Sequence, residues 1–170
     1  MFVNPEKIVH EFGFLPGQKV ADFGAGSGHY SLALSQLLGS EGRVFAVDLQ
    51  KEILVRLKRL VAETGRENVD IIVGDVEVPK GTTLGDGVAD GVVLSNIFFQ
   101  LTDPKGAIEE SKSVIKQNGR ICVVEWTDNL PAGKTGFSEE KMKKLFAEAG
   151  LVFERRFEAG NRHYAMIFRK

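Results

Sequence analysis

Asp22, Asp48 and Asp75 each close a short apolar run, and the first is followed almost at once by Gly24-Ala25-Gly26-Ser27-Gly28. Glycine tolerates positive φ and, lacking a Cβ, lets a ligand approach the main chain closely. A glycine loop beyond the end of a strand lies where an open α/β sheet binds its ligands. A tight helix–strand contact uses glycine for a different reason. A carboxylate directly before such a loop repels a pyrophosphate and attracts an ammonium or sulfonium cation. Asp48, 22 positions after Gly26, can accept hydrogen bonds from both hydroxyls of a ribose. Asp75 can accept from an adenine amino group while the Val76 N–H donates to the ring. Taken singly, each aspartate serves equally well as a helix cap or turn residue. At three successive strand ends, they outline a site for a nucleoside bearing a positive charge.

A dinucleotide fingerprint places glycines at its first, third and sixth positions. Here they are Gly24, Gly26 and Gly28, and His29 stands at the sixth, which weighs against NAD. For a general base, position suggests only His10, His29 and Asp75, and a histidine is as readily structural. Phe2, Phe12, Phe14, Phe98, Phe99 and Trp126 either wall an apolar acceptor pocket or complete the core. Cys122, inside an apolar run, reads as buried packing.

The elements that must position these residues alternate. Asn4-Pro5 caps a short helix carrying Ile8, Val9 and Phe12. Strand Lys19–Phe23 enters the glycine loop, and a helix with Tyr30, Leu34 and Leu38 on one face follows to Gly39. Arg43–Asp48 is a second strand and Lys51–Glu63 an amphipathic helix stopped by Thr64-Gly65. Val69–Val73 and Val88–Asn96 read as buried strands. Asp103-Pro104 caps a helix, and Asn118-Gly119 turns it into Arg120–Trp126. Ser138 caps a helix ending at Ala149-Gly150, and Leu151–Phe157 with Tyr164–Phe168 forms a terminal antiparallel hairpin. Val/Ile-rich strands alternating with helices give a doubly wound α/β fold, mostly parallel and covered on both faces.

Composition sets the outer bounds. The 170 residues are 43% hydrophobic and 26% charged, with one cysteine and three histidines, which gives one compact domain without a disulfide or zinc framework. No metal is expected. Net charge is −1, too balanced for a dedicated nucleic-acid partner. Residues 135–170 hold 8 Lys/Arg against 5 Asp/Glu, a basic bias that ordinary strand edges also show. The first residues lack the pattern of a signal peptide and no run of 18 apolar residues occurs, so a cytoplasmic protein without a membrane span is expected.

Residues 20–28, Val20-Ala21-Asp22-Phe23-Gly24-Ala25-Gly26-Ser27-Gly28, resemble the first motif of class I S-adenosylmethionine-dependent methyltransferases. Those of the small-molecule type, which includes quinone-biosynthesis C-methyltransferases, are the nearest in pattern. Ala46-Val47-Asp48, Gly74-Asp75-Val76 and Ala89–Asn96 resemble the second, third and fourth motifs. Pro104, Gly119-Arg120-Ile121 and Gly136-Phe137-Ser138 extend the likeness nearly end to end. The resemblance implies a Rossmann-like three-layer sandwich with seven strands in the order 3-2-1-4-5-7-6, strand 7 antiparallel. It implies one domain over 1–170: an N-terminal helix in 1–15, a cofactor-binding core over 19–126, and a C-terminal helix and hairpin over 138–168.

By the same resemblance Asp22 and the Gly24–Gly28 loop, with Phe23 and Ala25, hold the methionine moiety of S-adenosylmethionine. Asp48 meets the ribose, Asp75 and Val76 the adenine, Ser95 and Asn96 face the transferable methyl, and Leu49 is a further cofactor-binding residue. S-adenosylhomocysteine is the implied product. Phe2, Phe98, Gln100 and Trp126 are candidates for the acceptor side, although Phe98-Phe99-Gln100 departs from the histidine-containing stretch common in relatives. The expected function is methyl transfer to a small-molecule acceptor, by a monomer or homodimer. The lone cysteine speaks against thiol-dependent arsenic methylation. A cofactor-binding module without catalysis is the main alternative, and an NAD-dependent oxidoreductase a lesser one.

Overall fold

The computed structural model describes residues 4–127 and 137–170. Helix α1 (Pro5–Glu11) starts at Asn4, whose side chain accepts from the Lys7 N–H, with Pro5 as first helical residue. The chain then alternates through β1 (Lys19–Phe23), α2 (His29–Leu38), β2 (Arg43–Asp48), α3 (Lys51–Glu63) and β3 (Val69–Val73). It continues through β4 (Ala89–Ser95), a 3₁₀ turn (Phe98–Gln100), α4 (Pro104–Val114), β5 (Ile115–Trp126), α5 (Glu139–Glu148), β6 (Val152–Glu158) and β7 (His163–Arg169).

The seven strands form one sheet in the order β3-β2-β1-β4-β5-β7-β6. All pairings through β5 are parallel, and β7 runs antiparallel to both β5 and β6. The central strands are apolar on both faces because both are covered. Val20, Val93, Cys122 and Val124 pack toward α1–α3, while Ala21, Val92, Ile121 and Val123 pack toward α4 and α5.

Two expectations need correction. β3 is an edge strand, and only Val69 in it is buried; its rim is blunted by a bidentate Arg43–Asp70 pair with both contacts at 2.8 Å. β5 begins at Ile115, immediately after α4, without waiting for Asn118-Gly119. Asn118 instead takes φ 62° inside the strand, where pairing with β4 skips from Ala89–Ile115 to Gly91–Arg120. Asn is one of the few side chains that tolerates this conformation. The C-terminal basic residues are largely engaged in ion pairs: Arg156 with Glu139, Arg169 and Arg120 with Glu154, and Arg155 with Glu11. They behave as a solvated, internally paired edge.

Candidate functional site

β1 lies between β2 and β4, and the chain leaves it toward α2 on one face while α4 covers the other. This change of side opens a crevice beyond the strand ends. There Asp22, Gly24, Ala25, Gly26, Ser27, Ser95 and Asn96 line a cleft of about 390 Å³, together with Pro5, His29 and Tyr30. The glycine loop is held by β2. Gly24 and Ala25 donate to the Val47 carbonyl, each at 2.9 Å. Asp48 accepts from the Gly26 N–H at 3.0 Å on one oxygen and from the Gln50 N–H at 2.9 Å on the other. That orients the carboxylate and leaves each oxygen a further lone pair for a hydroxyl donor.

The three glycines have different reasons to be there. A Cβ on Gly28 would run into the Leu57 side chain, and one on Gly24 would stand 2.5 Å from Ile97 Cδ1. These two let α3 and the segment after β4 pack against the loop. At Gly26 the nearest atom to such a Cβ is the Gly24 carbonyl oxygen at 3.7 Å. Its missing side chain therefore leaves cleft space free for a ligand.

Asp22 is 1% exposed, and its carboxylate accepts from the Ser31 hydroxyl at 2.6 Å. Burial pushes the carboxyl up to about 6; the Ser31 bond opposes this and the nearby Asp48 charge adds to it. Among the described residues Asp22 has no cation partner, and a buried carboxylate without one is electrostatically incomplete. Two neutral groups in the same cleft are also incomplete. The Tyr30 hydroxyl is raised well above the ordinary phenol range by burial, an effect tempered by nearby Ser95, yet it makes no hydrogen bond of full geometry. Among the described residues Asn96 Oδ1 is buried without a partner too, on a residue held at φ 54°. A carboxylate, a phenol and an amide thus sit on residues that line one cleft, and among the described residues they lack a cation and hydrogen-bond partners. S-adenosylmethionine supplies both.

Past β3, Asp75 turns the chain by accepting from the Glu77 N–H at 2.9 Å. The loop that follows is pinned by Glu110 of α4, which accepts from the Lys80 N–H at 2.7 Å, the Thr82 N–H at 3.3 Å and the Thr82 hydroxyl at 2.5 Å. Sequence reasoning missed Glu110 and Tyr30. Glu110 had a signal, since it falls on the buried stripe of α4 with Ala107, Ser111 and Val114, where a carboxylate requires partners. Tyr30, two residues beyond the glycine loop, looked like any other apolar position of α2.

The remaining candidates divide. Phe23 and Val76 bury their side chains in the core, leaving only their backbone for a ligand, whereas Leu49 is 63% exposed beside Asp48. Phe98 does not wall a pocket: it is 1% exposed and packs on Phe137 and Phe146, at centroid distances of 5.2 and 6.1 Å. Gln100 is exposed and donates to the Asn96 carbonyl at 3.1 Å. Trp126 is half-buried at the end of β5, its ring 4.0 Å from that of His163. Phe2 and Gly136 lie outside the described residues.

Among the suggested bases, His29 is exposed at the cleft mouth and His10 is exposed in the last turn of α1, outside the cleft lining. Asp75 is displaced by topology: β3 stands three strand spacings from β4, roughly 14 Å, which puts it away from Ser95 at the end of β4. Among the described residues, no group of three or more His, Cys, Asp or Glu is arranged to hold a metal ion, and no helix is long and apolar enough to cross a membrane.

Comparison with known proteins agrees with this geometry. The family model described as "Methyltransferase domain" matches residues 15–166. An arsenite methyltransferase of Halobacterium salinarum is 28% identical over 68% of this chain and 29% of its own length. A demethylmenaquinone methyltransferase of Staphylococcus aureus is 30% identical over 76% of this chain and 52% of its own. The chain thus spans about half or less of the length of these relatives. Among solved structures, a SAM (S-adenosylmethionine)-dependent methyltransferase from Aquifex aeolicus superposes with a TM-score of 0.89 at 26% identity, covering 98% of this chain and 89% of that one. With its sheet order, glycine cradle and strand-end aspartates, the chain belongs to the S-adenosylmethionine-dependent methyltransferase domain family.

Proposed function

We propose that the protein transfers the methyl group of S-adenosylmethionine to a small, apolar, ring-bearing acceptor. The observation that carries this reading is that Asp22, Tyr30 and Asn96, each with a buried and incompletely paired polar group, line one cleft at the ends of β1 and β4. The sulfonium methyl is already electrophilic, so the chain's own task is chiefly alignment, worth up to roughly 7–11 kcal/mol. Gly26 leaves room for the methionine chain, and Asp22 balances its positive charge. Asp48 is oriented toward the ribose, and the Glu110-pinned loop carries Asp75 and Val76 to the adenine. Ser95 and Asn96, closing β4, face the methyl side. The fit of these residues supports binding.

The named activity of the Staphylococcus aureus relative supports a quinone-like ring. Cys122 tells against thiol-dependent arsenic chemistry despite the other relative: it is the chain's one cysteine, fully buried, and burial pushes its thiol far above the usual range. The test supplies methyl-labelled S-adenosylmethionine with a reduced naphthoquinone lacking its ring methyl, a simple phenol, or arsenite. Label in either ring compound supports this acceptor class. Label in arsenite alone, or in none of the three, overturns it.

A further inference from the structure

Glu125 is the penultimate residue of β5, and it is completely buried on the sheet face covered by α4 and α5. One carboxylate oxygen accepts from the Phe98 N–H at 3.0 Å and the other from the Trp126 N–H at 2.9 Å. No Lys, Arg or His forms an ion pair with it among the described residues. Tyr164 stands opposite it on β7, its hydroxyl donating to the Phe137 carbonyl at 2.6 Å. A charge buried with only two amide donors is expensive, and an apolar residue would fill the space more cheaply. What a carboxylate offers is two acceptor oxygens on one rigid fork. Here the fork joins the chain leaving β4 to the chain leaving β5.

The first of those exits is the methyl side of the site. Asn96 donates its N–H to the Val124 carbonyl at 2.8 Å, turns at φ 54°, and is followed by Ile97, whose side chain occupies the space above Gly24. The Phe98 amide, two residues after Asn96, is the point where Glu125 grips this segment from behind. Gln100 then closes back on the Asn96 carbonyl.

We propose that Glu125 is a positioning residue for the acceptor side of the cleft, fixing the Asn96–Gln100 segment through the Phe98 amide. This rests on the methyl-transfer reading above. The clasp needs both oxygens as acceptors, and a proton on either removes one. Burial raises the carboxyl to about 7, against the opposing pull of its two amide bonds, so the clasp weakens as pH falls through neutrality.

The experiment follows the Phe98 backbone amide by NMR in the S-adenosylhomocysteine complex, across pH roughly 6 to 8.5, in wild type and Glu125→Gln. In wild type its shift and exchange rate are expected to titrate near neutrality. In Glu125→Gln the titration disappears, and because the amide keeps one acceptor oxygen, one of the Phe98 and Trp126 N–H groups loses its partner and exchanges faster by about tenfold, the effect of losing one ordinary hydrogen bond. Affinity for S-adenosylhomocysteine stays within about twofold, and kcat/KM for the ring compound that accepts the methyl falls while the donor KM holds. A pH-independent Phe98 amide in wild type overturns the proposal without any variant having to fold. So does a Glu125→Gln protein that loses donor affinity and acceptor turnover in equal measure, the mark of general disruption. Failure of wild type to bind S-adenosylhomocysteine would instead sink the methyl-transfer reading.

Discussion

At Asp22 the burial that raises the carboxyl also makes it a receiver for a cation. Its folded-state value of about 6 lies above the ordinary 3.8, so the group favours folding below pH 3.8 and that contribution is lost as pH rises through 6. By linkage, ionised Asp22 costs the ligand-free protein on the order of 3 kcal/mol. Asp22→Asn is therefore expected to make the ligand-free protein more stable at pH 8 than wild type, with little difference at pH 4, in urea titrations. The same variant should bind S-adenosylmethionine more weakly, and the wild-type affinity should rise as pH passes 6. The glycines make a matching pair. Gly26→Ala strains this positive-φ backbone by about 1–2 kcal/mol, yet should leave a folded protein that binds S-adenosylhomocysteine about a hundredfold more weakly, some 2.7 kcal/mol. Gly28→Ala should cost about 1–3 kcal/mol of stability through its clash with Leu57. Calorimetry on both variants separates the roles, and equal binding losses without unfolding would contradict them. Sequence alone could not separate them, because positive φ is common to both and the neighbour that decides comes from α3.

Among elements, the loop between β3 and β4 depends on α4. Glu110→Ala leaves the Thr82 N–H and hydroxyl and the Lys80 N–H without their acceptor, and a loss of about 2–4 kcal/mol in denaturant unfolding is expected. S-adenosylhomocysteine binding should weaken with it, because Asp75 and Val76 ride on the same loop. Phe98→Ala is expected to cost about 3–5 kcal/mol as a core truncation, where a wall residue would cost little. Helix caps, glycine stops and alternating strands made nearly every boundary legible: Asn4, Asp103 and Ser138 each cap the helix assigned to them. The misjudged elements turned on neighbours. Val69–Val73 is as apolar as a central strand, but sheet order puts it at the rim. Asn118-Gly119 has turn chemistry, yet the chain uses it as an irregularity within β5.

At the scale of the whole molecule, the doubly wound order places the ends of β1, β2 and β4 around a single crevice, and the strand-end residues Asp22, Asp48 and Ser95 meet there from widely separated parts of the chain. Those were readable because a strand end is defined locally and the α/β arrangement dictates where it points. Tyr30, Glu110 and Glu125 were not, since their importance lies in partners, or in missing partners, that only packing reveals. A ligand that completes this crevice must stabilise the entire fold. At a hundredfold excess over Kd, S-adenosylhomocysteine should add about 2.7 kcal/mol, a rise of roughly 5–10 °C in Tm for a chain of this size. The most direct measurement is a calorimetric titration of S-adenosylhomocysteine into folded wild-type protein and into Asp48→Ala, with NADH and ATP as controls. One site per chain for S-adenosylhomocysteine, abolished in the variant and absent for both controls, is the expected result; no binding to folded wild type, or tighter binding of NADH, would contradict the assignment of this cleft.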